Sequence, residues 1–315
     1  MVESGAFLPH PATETTMPDK PLRVLSIGNS FSASVCRQLP PMAAAEGRAL
    51  GYACLFIGGC PLRLHAENLG KSAADPSFRP YRAMCSGFPA GEGLDGEFPA
   101  SSNELLARGD WDVVTVQQAS HESWDYANYR PFGHAVVEAV RKACPRAEVV
   151  IQQTWAYRAD DDRLRPGGAW GFDQPGMADR VFAAYDRFAA DEGIARQIPT
   201  GRAVWISRRR ELAPFVPYET ADLARYRWPD LPPQAGDVVG RLGWRRNWDT
   251  GEMEIGRDTI HLNERGEYLQ ALVWFGFLFG ADPTAVSYVS PHVGDADARF
   301  LRECARDALV QGGAL

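Results

Sequence analysis

The stretch Val24-Leu25-Ser26-Ile27-Gly28-Asn29-Ser30-Phe31 runs from an apolar, β-favouring segment straight into a glycine, an amide and a hydroxyl. Leu22 to Ile27 suits a pleated, buried strand and is bounded by Gly28, so a first central strand is predicted there. From Ser32 to Gly47, Val35, Leu39, Met42 and Ala43 recur at helical spacing. Pro40-Pro41 falls inside that window and implies a kink or a late start, because proline brings no backbone N–H to the helix. Ser30 therefore stands where a strand gives way to a helix.

The same alternation continues along the chain. Gly51 to Ile57 predicts a second strand ending in Gly58-Gly59, Asp112 to Gln117 a third, Glu148 to Gln152 a fourth, and Ala195 to Ile198 a short fifth. Helices are expected at Ser102 to Arg108, Tyr129 to Ala143, Met177 to Asp191 and from Gly201 to about Arg210. Asn263 should cap a helix that is apolar nearly all round by Trp274 to Phe279, and an amphipathic helix follows at about Asp295 to Gln311. About five strand–helix alternations predict an α/β fold with a parallel sheet covered on both faces. Functional groups in such sheets gather at the carboxyl ends of the strands. Ser30, Gly59, Gln118, His121 and Trp155 all follow predicted strands, so all should crowd one edge.

Two stretches resist a period. Residues 60 to about 100 are rich in Gly and Pro and fit an insertion with one short hairpin near Arg82 to Phe88. Residues 211 to 257 hold many Pro, Trp and Arg, and are expected to form an irregular cover. Residues 1 to 20 resemble a disordered leader, leaving residues 21 to 315 as a single domain.

Composition bounds the function. Hydrophobic residues make up 45% and charged residues 23% of the 315, enough for a substantial core. A net charge of -7 without a basic stripe argues against a nucleic-acid partner. Arg208-Arg209-Arg210 and Asp160-Asp161-Asp162 are expected to be solvated surface runs. The six cysteines show no Cys-x-x-Cys pair and are expected as free thiols. No secretory signal and no membrane-spanning run is visible, so a cytoplasmic location and no membrane partner are expected.

A serine hydroxyl needs an adjacent base to act as a nucleophile. Arg257-Asp258-Thr259-Ile260-His261-Leu262-Asn263 offers one, with an acid and a histidine three residues apart. One irregular turn before a helix would face both side chains to the sheet edge. His261 could then take the Ser30 proton while Asp258 holds the other ring nitrogen. The plainer alternatives are that Ser30 caps a helix, Asp258 caps a turn and His261 packs against the helix. Trp155, Tyr157, Trp124 and Tyr126 could wall a pocket against which a sugar ring stacks, or simply pack in the core.

These blocks carry a resemblance. Gly28-Asn29-Ser30-Phe31 resembles the Gly-Asp-Ser nucleophile block of the SGNH, or GDSL-type, hydrolases, and Asp258-Thr259-Ile260-His261 their terminal Asp-x-x-His block. Ile57-Gly58-Gly59 falls where that superfamily places its oxyanion glycine. Ile57-Gly58-Gly59-Cys60-Pro61-Leu62, Val116-Gln117-Gln118-Ala119-Ser120-His121 and Gln153-Thr154-Trp155-Ala156-Tyr157 are similar to a bacterial, uncharacterised SGNH-like branch. The resemblance implies a three-layer α/β/α flavodoxin-like fold and ester hydrolysis without metal or cofactor. It makes Ser30 the nucleophile, His261 the base and Asp258 its partner, with the Ser30 and Gly59 amides as oxyanion donors. Asn29 replaces the usual aspartate. The family's Gly-x-Asn-Asp block aligns with Ala119-Ser120-His121-Glu122, so its asparagine donor is missing and Gln118 or His121 would substitute. The implied substrate is a small acyl ester, with an acetylated carbohydrate as the leading case. The rivals are a non-catalytic binding protein on the same fold and a lipase or thioesterase.

Overall fold

The structure, a computed structural model, describes residues 20–315. The expected leader, residues 1 to 20, lies outside the described residues except for its last position. Nine strands are described: β1 (Leu22–Gly28), β2 (Leu50–Phe56), β3 (Tyr81–Ser86), β4 (Gly96–Ala100), β5 (Val113–Val116), β6 (Glu148–Gln152), β7 (Gln197–Ile198), β8 (Val239–Arg246) and β9 (Met253–Leu262). Helices α1 (Ser30–Ala33) and α2 (Val35–Ala45) follow β1 and α3 (Leu62–Ala74) follows β2. Next come α4 (Ser102–Leu106), α5 (Phe132–Ala143), α6 (Gln174–Glu192), α7 (Thr200–Arg210) and α8 (Thr220–Leu223). The last are α9 (Glu264–Phe279) and α10 (Asp295–Gln311).

Seven strands form one sheet in the order β4-β3-β2-β1-β5-β6-β7. The five from β2 to β7 are parallel, while β3 and β4 extend the edge as an antiparallel hairpin. This is the sheet covered on both faces expected from the alternation, in the flavodoxin-like α/β/α form that the resemblance implies. Helices α2, α9, α10 and α7 pack on one face and α3, α5 and α6 on the other. Strand β1 has no fully exposed residue, since both of its faces are covered. Helix α9 is buried from Gly266 to Phe277, which explains its all-round apolar sequence.

The chain passes from β1 to β2 on one side, then returns to β5 on the other side of β1. The connections at the ends of β1 and β5 therefore diverge, and the crevice between them is the natural site in such a sheet. Ser30 lies at that switch point.

Two expectations are corrected. The 60 to 100 stretch holds helix α3 besides its hairpin. Buried positions Leu62, His65, Asn68 and Ser72 have helical spacing, but three of the four are polar and give no apolar period. Residues 211 to 257 contain the short α8 and most of a separate antiparallel ribbon, β8–β9. Most of β9 is half-buried, so no alternation of apolar and polar residues marks it.

Candidate active site

Gly28 ends β1 with no room for a side chain, because a Cβ there would come within 2.1 Å of Ser32 Oγ. Asn29 then caps α1, accepting from Phe31 N at 3.1 Å, and turns Ser30 out of the sheet. The turn is lashed from three directions. Gln117 Nε2 donates to Asn29 Oδ1 at 2.6 Å. Gln152 Nε2 and Gln270 Nε2 both donate to the Phe31 carbonyl at 2.9 Å. These amides come from the ends of β5 and β6 and from α9, so the elbow is fixed by the sheet edge and a buried helix.

Asp258 and His261 stand at the end of β9, not on an irregular turn as expected. A register shift between Val239 and Arg241 places Gly240 beside them at φ +85°. A Cβ on Gly240 would meet the Asp258 carbonyl oxygen at 2.6 Å, so only glycine lets the two strands close there. Asp258 Oδ1 accepts from Ile260 N at 2.9 Å and His261 N at 3.0 Å, which bends the strand locally and brings acid and imidazole together.

The chain closes over 231 residues of sequence. His261 Nε2 lies 2.9 Å from Ser30 Oγ and His261 Nδ1 2.9 Å from Asp258 Oδ2. Burial alone would raise the Asp258 carboxyl. The hydrogen bonds from the His261 ring and from the amides of His261 and Ile260 outweigh it and hold the group well below the usual carboxylate range. The imidazole remains reachable, with 44% of the His261 side chain exposed. Such a series can draw the hydroxyl proton onto Nε2 and stabilise the resulting imidazolium.

The ribbon carrying these groups is clamped to the loop after β6. Arg158 N donates to the Thr259 carbonyl at 2.8 Å, Thr259 Oγ1 to Asp161 Oδ2 at 2.6 Å, and Trp155 Nε1 to the Ile260 carbonyl at 2.9 Å. The acidic run is thus corrected: Asp160 and Asp161 are buried, and only Asp162 is exposed. Each buried carboxylate is paired bidentately, Asp160 by Arg158 and Asp161 by Arg163, as burial of charge requires. The basic run is corrected in part, because Arg208 reaches a buried Asp237 at 3.0 Å.

Gly59 sits across from Ser30 at φ +62° with nothing within 4 Å of a would-be Cβ. Asn29 Nδ2 donates to the Cys60 carbonyl at 3.2 Å and so braces the glycine turn against the elbow. An aspartate has no proton to offer there, which accounts for the asparagine. Neither the Ser30 nor the Gly59 amide donates to another group among the described residues. Both border a recess of about 210 Å³ with His121, Tyr157, Arg163 and His261.

Gln118 is a correction. Its Oε1 accepts from Leu62 N at 2.9 Å and Ala119 N at 2.8 Å, and its Nε2 donates to the Asn128 carbonyl at 2.9 Å. It is a staple that fixes the start of α3, fully buried and outside the lining of the recess beside Ser30. Trp155 is 1% exposed and stacked on Phe31 at 3.9 Å, so it borders the cleft beside Ser30 from its floor and is not an open wall, while the Phe31 ring stands edge-on to His261 at 5.8 Å. Arg163 was not anticipated; its aromatic contacts, 4.5 Å from the Tyr157 ring and 4.8 Å from Trp170, join residues close in sequence but uninformative alone.

A second cleft, about 440 Å³, opens on the other side of the Ser30–His261 pair. A larger, shallow groove of about 830 Å³ runs beneath Tyr226, Trp228 and Trp244, but neither Ser30 nor His261 lines it. All six cysteines are free. Among the described residues, no group of three or more His, Cys, Asp or Glu is placed to hold a metal, and no helix is long and apolar enough to cross a membrane.

Residues 23–214 match a family described as a domain of unknown function, DUF4886. The chain belongs to the DUF4886 family. No curated protein matches the sequence. Among solved structures, a DUF4886 family protein from Bacteroides uniformis ATCC 8492 is 24% identical with a TM-score of 0.71, the match covering 92% of this chain and 95% of that one. The two DUF4886 chains therefore share one fold. A weaker likeness is to a phospholipase A1 from Streptomyces albidoflavus NA297, 14% identical over 80% of this chain and 98% of that chain, with a TM-score of 0.37. A protein described as a GDSL-like lipase, from Parabacteroides merdae ATCC 43184, gives 11% identity, 83% and 96% coverage, and a TM-score of 0.44.

Proposed function

We propose that this chain is a serine ester hydrolase of the SGNH type. The observation that carries the reading is the hydrogen-bonded series Ser30 Oγ, His261 Nε2, His261 Nδ1 and Asp258 Oδ2 at an open sheet edge. Ser30 Oγ attacks the acyl carbon as its proton passes to His261 Nε2. The oxyanion that develops is met by the amides of Ser30 and Gly59, with His121 as the third donor from the rim of the recess. Collapse expels the alcohol, which takes the proton from His261. Water then attacks the acyl-serine, gives a proton to His261, and releases the acid while Ser30 recovers its hydrogen.

The recess on the Gly59 side suits a small acyl group, acetyl being the simplest, and the wider cleft is left for the alcohol, a carbohydrate in the sequence reading. A lipase or thioesterase is disfavoured because that cleft is walled by Arg37, Arg82 and Arg241, a poor lining for a long acyl chain. The test is hydrolysis of 4-nitrophenyl acetate together with fluorophosphonate labelling. Wild type should turn over and label, and Ser30→Ala should do neither while keeping its thermal melt. A wild-type Ser30 that never labels in folded protein would leave the non-catalytic binding protein as the better description.

A further inference from the structure

The cleft beside Ser30 is lined by more guanidinium groups than carboxylates. Arg37 on α2, Arg82 on β3 and Arg241 on β8 line it, and apart from Asp258 its one acidic wall residue is Glu267. The three guanidinium groups come from separate elements that only the fold brings together, and each side chain is 42–61% exposed.

Glu267 organises two of them. Its side chain is 7% exposed, and it contacts Arg37 Nη1 directly and Arg241 Nη2 at 3.8 Å. Arg241 is further fixed by donating to the Leu262 carbonyl at 3.0 Å, and it lies opposite Asp258 in the ribbon register. Arg82 is held differently, with its guanidinium carbon 4.7 Å from the centre of the Phe56 ring. Stacking of that kind leaves the in-plane N–H groups available. Two more carboxylates touch the cluster from outside the wall, Glu97 at 3.5 Å from Arg82 and Glu264 at 3.6 Å from Arg241, and both are half exposed. The wall of the cleft itself thus sets three guanidinium groups against two carboxylates, Glu267 and Asp258, while Glu97 and Glu264 approach Arg82 and Arg241 from outside it and leave part of each exposed guanidinium facing the cleft.

We propose that the substrate carries an anionic group, a carboxylate or similar oxyanion, which Arg37, Arg82 and Arg241 bind in this cleft while Ser30 acts on the ester. The inference rests on the hydrolase reading of Ser30 and adds the substrate class to it. The planar fork of a guanidinium matches a carboxylate with two parallel hydrogen bonds, so recognition would be geometric as well as electrostatic. With the acyl group in the recess beside Gly59, the anion belongs to the alcohol part of the substrate, and an anion on the acyl part is the other outcome of the test.

Three esters separate these cases in the full chain: 4-nitrophenyl acetate as the neutral reference, 4-nitrophenyl hemisuccinate with the anion on the acyl side, and 4-acetoxybenzoate with it on the alcohol side. The expected result is a higher kcat/KM for one anionic ester than for the neutral one. In R82Q or R37Q that ratio should fall by roughly tenfold or more, the effect of removing a charge-assisted hydrogen bond, chiefly through KM. Added salt should erode the preference in wild type. Ratios unchanged in both variants would overturn the proposal. Should no ester turn over and Ser30 stay unlabelled, the hydrolase reading fails, and calorimetric titration with 4-acetoxybenzoate decides the cleft separately. Binding to wild type that is lost in R82Q upholds the anion site, and no binding to wild type removes it.

Discussion

Replacing Asp258 with asparagine changes one atom of the site and tests the proposed relay directly. In wild type Oδ1 accepts the amides of Ile260 at 2.9 Å and His261 at 3.0 Å, while Oδ2 faces His261 Nδ1 at 2.9 Å. An asparagine keeps its oxygen toward the two amides, because the reverse orientation would set donors against donors. Its NH2 then faces Nδ1, which must become the acceptor, and the ring proton moves to Nε2. There it points at Ser30 Oγ, 2.9 Å away, and the imidazole can no longer take the hydroxyl proton. The same exchange in a serine–histidine–aspartate protease lowers kcat about 10⁴-fold, so a loss of that order is expected here, ~5 kcal/mol of transition-state stabilisation. The assay is kcat/KM on 4-nitrophenyl acetate with the fluorophosphonate labelling rate, and circular dichroism as the control for fold. An intact Asp258→Asn protein within tenfold of wild type would refute the reasoning, since the tautomer argument leaves no room for it.

Three other outcomes are expected. Asn29→Asp removes the donor to the Cys60 carbonyl and sets a carboxylate against it, so urea unfolding should show a loss of about 1–3 kcal/mol. Turnover should fall as well, because the Gly59 turn loses its brace; wild-type stability and rate would discount the brace. Thr259→Val leaves buried Asp161 short of one hydrogen bond and should cost about 1–2 kcal/mol, with kcat falling more than KM rises; an unchanged kcat would show that the clamp does not position His261. The Asp258 carboxyl titrates below its usual value in the folded chain, so the stability it contributes is complete above the ordinary carboxylate pKa of about 4 and is lost as pH falls from there towards the depressed folded value. The gap in urea midpoint between wild type and Asp258→Asn should therefore narrow between pH 6 and pH 3, and a gap that widened would contradict the sign.

The sheet was legible because its strands are buried on both faces. Val24, Leu25, Val114 and Ile151 have no solvent-facing neighbours to dilute the pattern, and a continuous apolar run is what the sequence displays. Ser30 followed from its place at the end of such a run. The partnership of Ser30 with His261 could be posed but not located, since the hydrogen bond joining them spans most of the chain. Strand β9 was hidden because its two faces are alike in exposure, so its side chains carry no alternation. Asp160 and Asp161 were misjudged for a related reason: a run of carboxylates has the same letters whether solvated or paired, and only Arg158 and Arg163 folding back two residues decides it. In the sequence Gln118 offers an amide beside His121, and nothing there tells that its amide bonds the backbone at the start of α3 and in the following loop.

The hydroxyl belongs to the seven-stranded sheet, whereas the acid and imidazole ride on the two-stranded ribbon, which joins the main body through Val239 and Leu262 in the core at its base and through bonds at Thr259 and Ile260. Two strands alone have little stability of their own. Peeling that ribbon away would separate proton donor from proton acceptor while the main sheet stayed whole. If the proposed hydrolysis holds, warming should end it some degrees before the main sheet melts, and the ceiling on its working temperature would then be set at the junction of ribbon and sheet.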